Sequence, residues 1–260
     1  MRQAGKTTIK AVLFDLDGVL YIGDDLLPGA CESVTRIRNT PLPVAGVTNT
    51  TTSSRRAVAE KLAGFGIPIG IHDIYTPAAL ALQAIGKSRA ALYVRDSLME
   101  DFSGICISDD RPEYIVMGDL GSNGYTPAVL HRIFTQVMDG GILLALHKNR
   151  FWQTPDGLYL DLGPFVAAIE YATGKTATVL GKPSASFFHG ICSALQVSPQ
   201  QALMIGDDIE SDIGGAQQAG LRTALVKTGK YREAFVHQSG IKADLVLPSI
   251  ADLPDALQRL

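Results

Sequence analysis

The chain has few cysteines, little net charge and no long uninterrupted hydrophobic run. Its three scattered cysteines, Cys31, Cys106 and Cys192, argue against a disulfide framework and predict interior thiols in a reducing compartment. The formal charge of -3 is too small to attract nucleic acid through bulk electrostatics. Asp15 and Asp17 interrupt the first apolar stretch, so we expect no signal peptide, no membrane partner and a cytoplasmic location.

The composition of the chain and the order of its apolar segments indicate an α/β protein. Hydrophobic residues make up 46% and charged residues 19%, which is a globular balance, and 260 residues suffice for a domain that carries a second, smaller one. Short apolar runs alternate with helix-length amphipathic segments, as in a mostly parallel sheet with crossover helices. Strands are predicted at 10–15, 43–47, 91–94, 113–117, 142–146, 178–180, 202–205, 222–226 and 244–247.

The predicted elements fall into two blocks. The βα alternation restarts in the middle of the chain, where Thr76-Pro77 and Thr126-Pro127 are typical helix starts. The simplest arrangement is a parallel-sheet core over 1–80 and 178–260, interrupted by an inserted α/β domain over 81–177. Open parallel sheets bind ligands beyond the carboxyl ends of their strands, and the polar clusters of this chain follow strands.

The first polar cluster is Asp15-Leu16-Asp17-Gly18, directly after the apolar run 11–14. In a strand, residues i and i+2 point to the same face, so the two carboxylates repel each other. A divalent cation would offset that repulsion, because hard cations prefer carboxylate oxygens. An ordinary Asp-Gly turn is the alternative.

A second acidic strand end, 206–212, follows the apolar run 202–205. Alone, such a loop is usually a solvated turn. Together with the first cluster it predicts a metal site or a proton relay, because clustered carboxylates raise each other's pKa. Lys182 follows the predicted strand 178–180 and could offset the acids, unless it is a surface lysine in a turn. Thr48 and Asn49 could bind phosphate oxygens or simply cap a helix.

Taken in chain order, these four motifs resemble those of the haloacid dehalogenase superfamily of phosphotransferases, over essentially the whole chain. The resemblance implies a Rossmann-like parallel-sheet core with an inserted α/β cap domain. It implies that Asp15 is the nucleophile that forms an aspartyl-phosphate, and that Asp17 is first the general acid and then the base. Lys182 would stabilise the charge of the phosphoryl group, which Thr48 and Asn49 would contact.

The resemblance also implies a Mg²⁺ site. The ion would be held by the Asp15 carboxylate, the Asp17 backbone carbonyl and Asp207, with support from either Asp208 or Asp212. The implied substrate-binding set is Asp15, Leu16, Asp17, Thr48, Asn49 and Lys182.

The position of the insertion refines the resemblance. The interval from Asp17 to Thr48 is too short for a domain, whereas the interval from Thr48 to Lys182 contains the whole middle block. This arrangement resembles the type 2 cap of subfamily IIA, which is 4-nitrophenylphosphatase-like. Within it, the chain looks closest to the phospholysine phosphohistidine inorganic pyrophosphate phosphatase group and its hydrolase-domain-containing relatives. The stretches that carry this narrower likeness are 146–150, 156–158, 163–165 and 170–174.

The implied function is that of a Mg²⁺-dependent phosphatase of small phosphorylated compounds. Cleavage of P–N or P–O–P bonds is a second expectation, and a non-catalytic protein that binds a phosphorylated ligand is a third. The resemblance leaves open a homodimer through the cap. His147, Lys148 and Arg150 predict a solvated basic loop, with contact to substrate polar groups as the alternative.

Overall fold

A computed structural model describes residues 8–120, 124–154 and 157–258. The chain divides into two compact units. The first unit comprises Met1–Thr48, Arg56–Tyr75 and Lys182–Leu260, and the second comprises Asn49–Arg55 and Thr76–Gly181. The sequence-based domain limits, 1–80 with 178–260 and 81–177, lie a few residues from these unit limits and stay a prediction.

The first unit is built on a six-stranded parallel sheet with the strand order β15-β14-β13-β1-β4-β5. Its strands are β1 (Ala11–Asp15), β4 (Val44–Val47), β5 (Ile74–Tyr75), β13 (Ala202–Gly206), β14 (Arg222–Val226) and β15 (Leu245–Leu247). A small antiparallel hairpin, β2 (Tyr21–Ile22) with β3 (Asp25–Leu26), follows β1. The helices are α1 (Ala30–Arg38), α2 (Arg55–Gly64), α6 (Ala185–Ala194), α7 (Gly215–Gln218), α8 (Glu233–Ser239) and α9 (Leu253–Leu257), and the first residue of α2 belongs to the second unit.

The centre of this sheet is apolar on both faces. All five residues of β1 and all five of β13 are buried, as expected for central strands of a parallel sheet covered by helices. Val12 and Phe14 pack on one face with Leu203 and Ile205. The two strands are held in one register, with Phe14 opposite Ile205.

The second unit contains a five-stranded parallel sheet with the order β12-β9-β8-β6-β7. Its strands are β6 (Arg89–Tyr93), β7 (Cys106–Ile107), β8 (Tyr114–Met117), β9 (Ile142–Ala145) and β12 (Thr178–Val179). A hairpin is formed by β10 (Phe151–Thr154) and β11 (Gly157–Leu160). The helices are α3 (Pro77–Ile85), α4 (Pro127–Met138) and α5 (Leu162–Thr173).

Two apolar clusters cover the two faces of this second sheet. Ile115 and Met117 of β8 pack in one cluster, and the intervening Val116 packs in the other, as the strand period of two requires. The predicted helix starts are confirmed, because Thr76 and Thr126 each accept a hydrogen bond from the backbone N–H three residues on.

The predicted α/β fold class is confirmed. The two-residue strands β2, β3, β5 and β7 were not predicted, and neither was the 3-10 segment Asp96–Phe102. The expectation of interior cysteines is wrong for Cys106, which is exposed. Within the described ranges, no helix is both long and apolar enough to cross a membrane.

Candidate active site

The first unit brings three predicted site residues to one edge of its sheet. Asp15 ends β1 beside Val47 of β4, so that Thr48 is the next residue after β4. On the other side of β1, Phe14 is paired with Ile205, and Asp207 follows two residues later. The parallel register therefore places Asp15, Thr48 and Asp207 at the same end of neighbouring strands.

Lys182 lies at the centre of the charged cluster. Its ammonium Nζ is 2.7 Å from Asp15 Oδ1 and 2.6 Å from Asp212 Oδ1, and all three side chains are buried. Burial alone lowers the pKa of Lys182, but Asp15 and Asp212 outweigh that effect and raise it. Lys182 is therefore a buried cation held by two carboxylates, and its interpretation as a surface lysine is wrong.

Three carboxylates lie together here, and two of them contact Lys182. Asp15, Asp207 and Asp212 each offer an oxygen within 4.8 Å of the others. Burial, Asp15 and Asp212 raise the pKa of Asp207, since three negative charges in a dry site repel. Within the part of the chain that the structure describes, the buried Asp207 Oδ1 has no hydrogen-bond partner. An unpartnered carboxylate oxygen among other carboxylates fits a hard divalent cation.

Asp208 and Asp212, which the sequence could not separate, differ in position. Asp208 turns away from the cluster, since its Oδ1 accepts from the N–H groups of Glu210 and Ser211 at the start of a π-helical turn, Ile209–Gly214. That turn carries Asp212 back towards Lys182, and Asp212 Oδ2 also accepts from the Asp208 N–H at 3.1 Å. Asp212 is thus the one of the two that joins the buried cluster.

Asp17 is placed differently from Asp15. Its side chain is exposed, and its carboxylate accepts a hydrogen bond from the Gly23 backbone. Partial desolvation and the nearby Asp15 charge raise the pKa of Asp17. A carboxyl group that holds its proton more strongly than usual and remains accessible has the properties of a proton donor.

The other residues predicted to bind substrate differ in burial and in the unit to which they belong. Leu16 is fully buried among the core side chains, and its carbonyl accepts from the Leu20 N–H. Thr48 is buried, and its N–H donates to the Tyr75 carbonyl. Asn49 belongs to the second unit, so its predicted contact with a phosphoryl group stays a prediction.

The strand ends of the second unit carry polar groups of another kind. Arg95, after β6, forms a 2.7 Å ion pair with Asp119, after β8. His147, after β9, is buried with Nε2 3.5 Å from Thr51 Oγ1 and 3.6 Å from Asp161 Oδ1. The interpretation of His147 as part of a solvated loop is therefore wrong.

One group of site residues was missed in the sequence. The turn Thr228–Lys230, after β14, contacts both acidic strand ends, because the Lys230 N–H donates to Asp207 Oδ2 at 2.6 Å and Thr228 Oγ1 donates to the Gly18 carbonyl at 2.5 Å. A backbone donor has no side-chain signature, and the available signal was a Thr-Gly pair after a predicted strand.

Comparison with known families agrees with this geometry. Residues 12–104 match the family described as haloacid dehalogenase-like hydrolase, and residues 179–253 match the family described as HAD-hydrolase-like. The two matches contain the acidic strand ends at Asp15 and Asp207 and also Lys182.

Curated relatives match nearly the whole chain. Haloacid dehalogenase-like hydrolase domain-containing protein 2 of Bos taurus is 42% identical over 233 residues, which is 89% of this chain and 89% of the bovine protein. Phospholysine phosphohistidine inorganic pyrophosphate phosphatase of Homo sapiens is 35% identical over 257 residues, 96% of this chain and 94% of the human protein.

Solved structures share the fold. NagD from E. coli K-12 superposes with a TM-score of 0.83 at 26% identity, over 94% of this chain and 98% of that protein. The 4-nitrophenylphosphatase of Thermotoga maritima has a TM-score of 0.88 at 24% identity, over 96% and 98% of the two chains. The fold and the buried acidic cluster thus define a hydrolase of the phosphatase type. The chain belongs to the haloacid dehalogenase superfamily, subfamily IIA, and the predicted resemblance is confirmed.

Proposed function

We propose that this protein is a Mg²⁺-dependent phosphatase that hydrolyses small phosphorylated compounds through an aspartyl-phosphate on Asp15. The observation that carries the proposal is the buried Asp15 carboxylate, which lies against a buried lysine and beside two further carboxylates. A carboxylate held in this way by one cation is suited to attack at phosphorus, since its orientation is fixed.

The residues that would hold Mg²⁺ are Asp15 and Asp207 through their carboxylates and Asp17 through its backbone carbonyl, with Asp212 in support. The unpartnered Asp207 Oδ1 and the crowded carboxylates support this assignment. When bound, the ion would neutralise charge on the transferring phosphoryl group.

The chain's own residues would carry out two half-reactions. In the first, an Asp15 oxygen forms a bond to phosphorus, the bond to the leaving oxygen breaks, and Asp17 gives that oxygen its proton. In the second, Asp17 takes a proton from water, whose oxygen bonds to phosphorus and releases phosphate and the free Asp15 carboxylate. The accessible position of Asp17 and its raised pKa are consistent with both proton transfers.

The other predicted residues would bind the phosphoryl group. Lys182 already contacts Asp15 and would stabilise the negative charge that develops on the equatorial oxygens. Thr48 and Asn49 would donate hydrogen bonds to those oxygens, and the backbone of Leu16 would line the same site. We further propose that the second unit is the type 2 cap and that it selects the substrate.

The decisive experiment is replacement of the nucleophile. Asp15→Asn keeps the shape of the side chain but removes the attacking charge, so turnover of 4-nitrophenyl phosphate with Mg²⁺ should fall by at least about 10³-fold. Asp17→Asn should still form phosphoenzyme slowly, which acid-quenched labelling would detect. Asp24→Asn is the matched control, since Asp24 is fully exposed and pairs only with Lys61 among the ion pairs of the described residues. Full activity of Asp15→Asn would refute the proposal.

Hydrolysis of P–N or P–O–P bonds is a second candidate. The human relative at 35% identity is named for phospholysine, phosphohistidine and inorganic pyrophosphate, which supports testing these compounds. One assay should compare pyrophosphate and phospholysine with sugar phosphates and nucleotides, with and without Mg²⁺. A preference of tenfold or more in kcat/KM for one group would select it, and no turnover of any compound would favour a non-catalytic phosphate-binding protein. The homodimer through the cap stays a prediction.

A further inference from the structure

The turn Thr228–Lys230 joins two motifs that lie far apart in the chain. Thr228 Oγ1 donates to the Gly18 carbonyl, in the turn after Asp17, at 2.5 Å. Two residues on, the Lys230 N–H donates to Asp207 Oδ2 at 2.6 Å. A turn that begins two residues after β14 thus contacts the segments that follow both acidic strands.

The contact between these segments is too close for side chains. Gly18 and Gly229 both have positive φ, 94° and 55°, which other residues rarely adopt. A Cβ atom at either position would lie 2.0 Å from Asp207 Oδ2, and a Cβ on Gly229 would also lie 2.5 Å from Gly18 Cα. The Asp207 carboxylate is therefore held between two stretches of bare backbone.

In this arrangement the two carboxylate oxygens of Asp207 differ in their hydrogen bonding. Oδ2 accepts from Lys230, whereas Oδ1 is buried and has no hydrogen-bond partner in the described part of the chain. Rotation of the carboxylate about its Cβ–Cγ bond would break the hydrogen bond from the Lys230 N–H. Oδ1 is thus left as the oxygen that can serve an external ligand.

The peptide beyond Asp17 is fixed as well. The Gly18 N–H donates to the Tyr21 carbonyl at 2.7 Å, and the Gly18 carbonyl accepts from Thr228. Because the peptide bond is planar and trans, the hydrogen bond to Tyr21 also fixes the direction of the Asp17 carbonyl. The turn therefore restrains both the Asp207 carboxylate and the segment that carries the Asp17 carbonyl.

We propose that Thr228 and Gly229 are positioning residues, whose turn presents Asp207 Oδ1 and the Asp17 carbonyl to the divalent cation. The inference rests on the proposed function, since that proposal assigns these two oxygens to the metal. The turn itself does not touch the reacting atoms. Groups that orient ligands in this way commonly change metal affinity by about 10- to 100-fold when they are removed.

The test measures Mg²⁺ binding to the metal-free full-length protein by isothermal titration calorimetry, with no substrate present. Gly229→Ala introduces a methyl group against Asp207, and Thr228→Val removes the hydroxyl donor while keeping the shape. We expect the dissociation constant to rise about 10- to 100-fold for Gly229→Ala and several-fold for Thr228→Val. Thr228→Ser keeps the hydroxyl and should retain the wild-type affinity within about twofold.

Two control variants separate positioning from general damage. Gly240 also has a positive φ, 66°, and a Cβ atom added there would meet nothing within 4 Å, so Gly240→Ala reproduces the backbone strain without the contact. Thr40 donates its hydroxyl to the Ile37 carbonyl at 2.6 Å, so Thr40→Val removes a similar bond elsewhere in the first unit. Both should bind Mg²⁺ as the wild type does.

The outcomes are distinct. Weaker binding in Gly229→Ala and Thr228→Val, with kcat restored at saturating Mg²⁺, supports the proposal. Affinities equal to those of the two controls overturn it, even if both turn variants lose thermal stability. If Gly229→Ala does not fold, the comparison of Thr228→Val with Thr228→Ser decides by the same criterion. A wild-type protein that hydrolyses phosphate esters without binding Mg²⁺ would refute the metal assignment itself and this inference with it.

Discussion

The two units carry parallel sheets of similar construction, yet their strand ends differ in charge and burial. In the first unit, three buried carboxylates lie together at the ends of β1 and β13 and in the turn that follows β13, and two of them pair with one buried lysine. At the strand ends of the second unit, the Arg95 guanidinium pairs with the Asp119 carboxylate, and both side chains are partly accessible. The first arrangement leaves excess negative charge in a dry place, while the second is balanced.

This difference shows that the sheet supplies only a place for chemistry. Parallel strands direct their following residues to one edge in both units, and in the first unit the described residues there include a buried excess of negative charge. Without a bound metal ion, such a cluster destabilises the fold, because burial penalises each ionised carboxylate. The excess charge is therefore best explained by binding, and the balanced pairs by stability.

The two units should differ most in the free energy of unfolding that is lost when one lysine of each is replaced. Lys182→Met leaves buried carboxylates without their cation, which should cost about 3–5 kcal/mol in free energy of unfolding. Lys148→Met in the second unit removes a partly exposed pair with Glu170 and should cost about 0.2–1 kcal/mol. Urea unfolding in metal-free buffer measures both. Equal losses would mean that the two units hold their charges alike.

The pH dependence of stability should differ in sign between the units. In the fold the pKa of Asp207 is raised, so above the unfolded value of about 3.9 the native state binds more protons than the unfolded chain. Stability without metal should therefore fall as the pH rises from about 4, and Asp207→Asn should flatten that decline. Burial of Glu170 is outweighed by its bonds to Lys148 and the Ala177 N–H, which lower its pKa, so this contribution is lost as the pH falls.

Thermal unfolding between about pH 2.5 and pH 8 in the presence of a chelator tests both signs, because the contribution of Glu170 is lost as the pH falls below its unfolded pKa. In the profile of unfolding temperature against pH, Glu170→Gln should reduce the loss of stability at acid pH. Asp207→Asn should reduce the loss of stability at higher pH. Mg²⁺ should raise the unfolding temperature of the wild type most at the higher pH, where the cluster is ionised. A wild-type profile that rises throughout this range would contradict the raised pKa of Asp207.

A small effect is expected from a helix cap in the second unit. Thr126 accepts a hydrogen bond from the Val129 N–H at the start of α4, so Thr126→Ala should lower the free energy of unfolding by about 1 kcal/mol. Thr126→Ser keeps the accepting oxygen and serves as the control. The kcat for 4-nitrophenyl phosphate should be unchanged in both, and a large change in kcat would show that the second unit's helices influence the chemistry.

The sequence predicts those parts of the fold whose signals are local. The bounds of β14 are as predicted, because an apolar run between turn residues is a strong strand signal, and the Thr-Pro pairs mark the starts of α3 and α4. The hairpin of β2 and β3 was missed because strands of two residues carry no period.

The candidate site was predictable where side-chain type carries the chemistry. Asp15, Lys182 and Asp207 stand out as charges after apolar runs, and the structure brings them together. Which of Asp208 and Asp212 joins the buried cluster depends on a π-helical turn. No local sequence pattern predicts the extra residue in such a turn. Thr228 and Gly229 escaped notice because the turn acts through backbone groups and the lack of a side chain.

The order of β1 and β13 in the chain has a consequence for synthesis on the ribosome. At about 5–20 residues per second, roughly 10–40 s separate the emergence of β1 from that of β13, its central partner. Of its two neighbours in the sheet, β1 then has only β4 available, and the contiguous segment Thr76–Gly181 emerges during the same interval. The edge of β1 that later pairs with β13 therefore stays unpaired for most of translation. We expect chaperones to bind the nascent first unit at that edge.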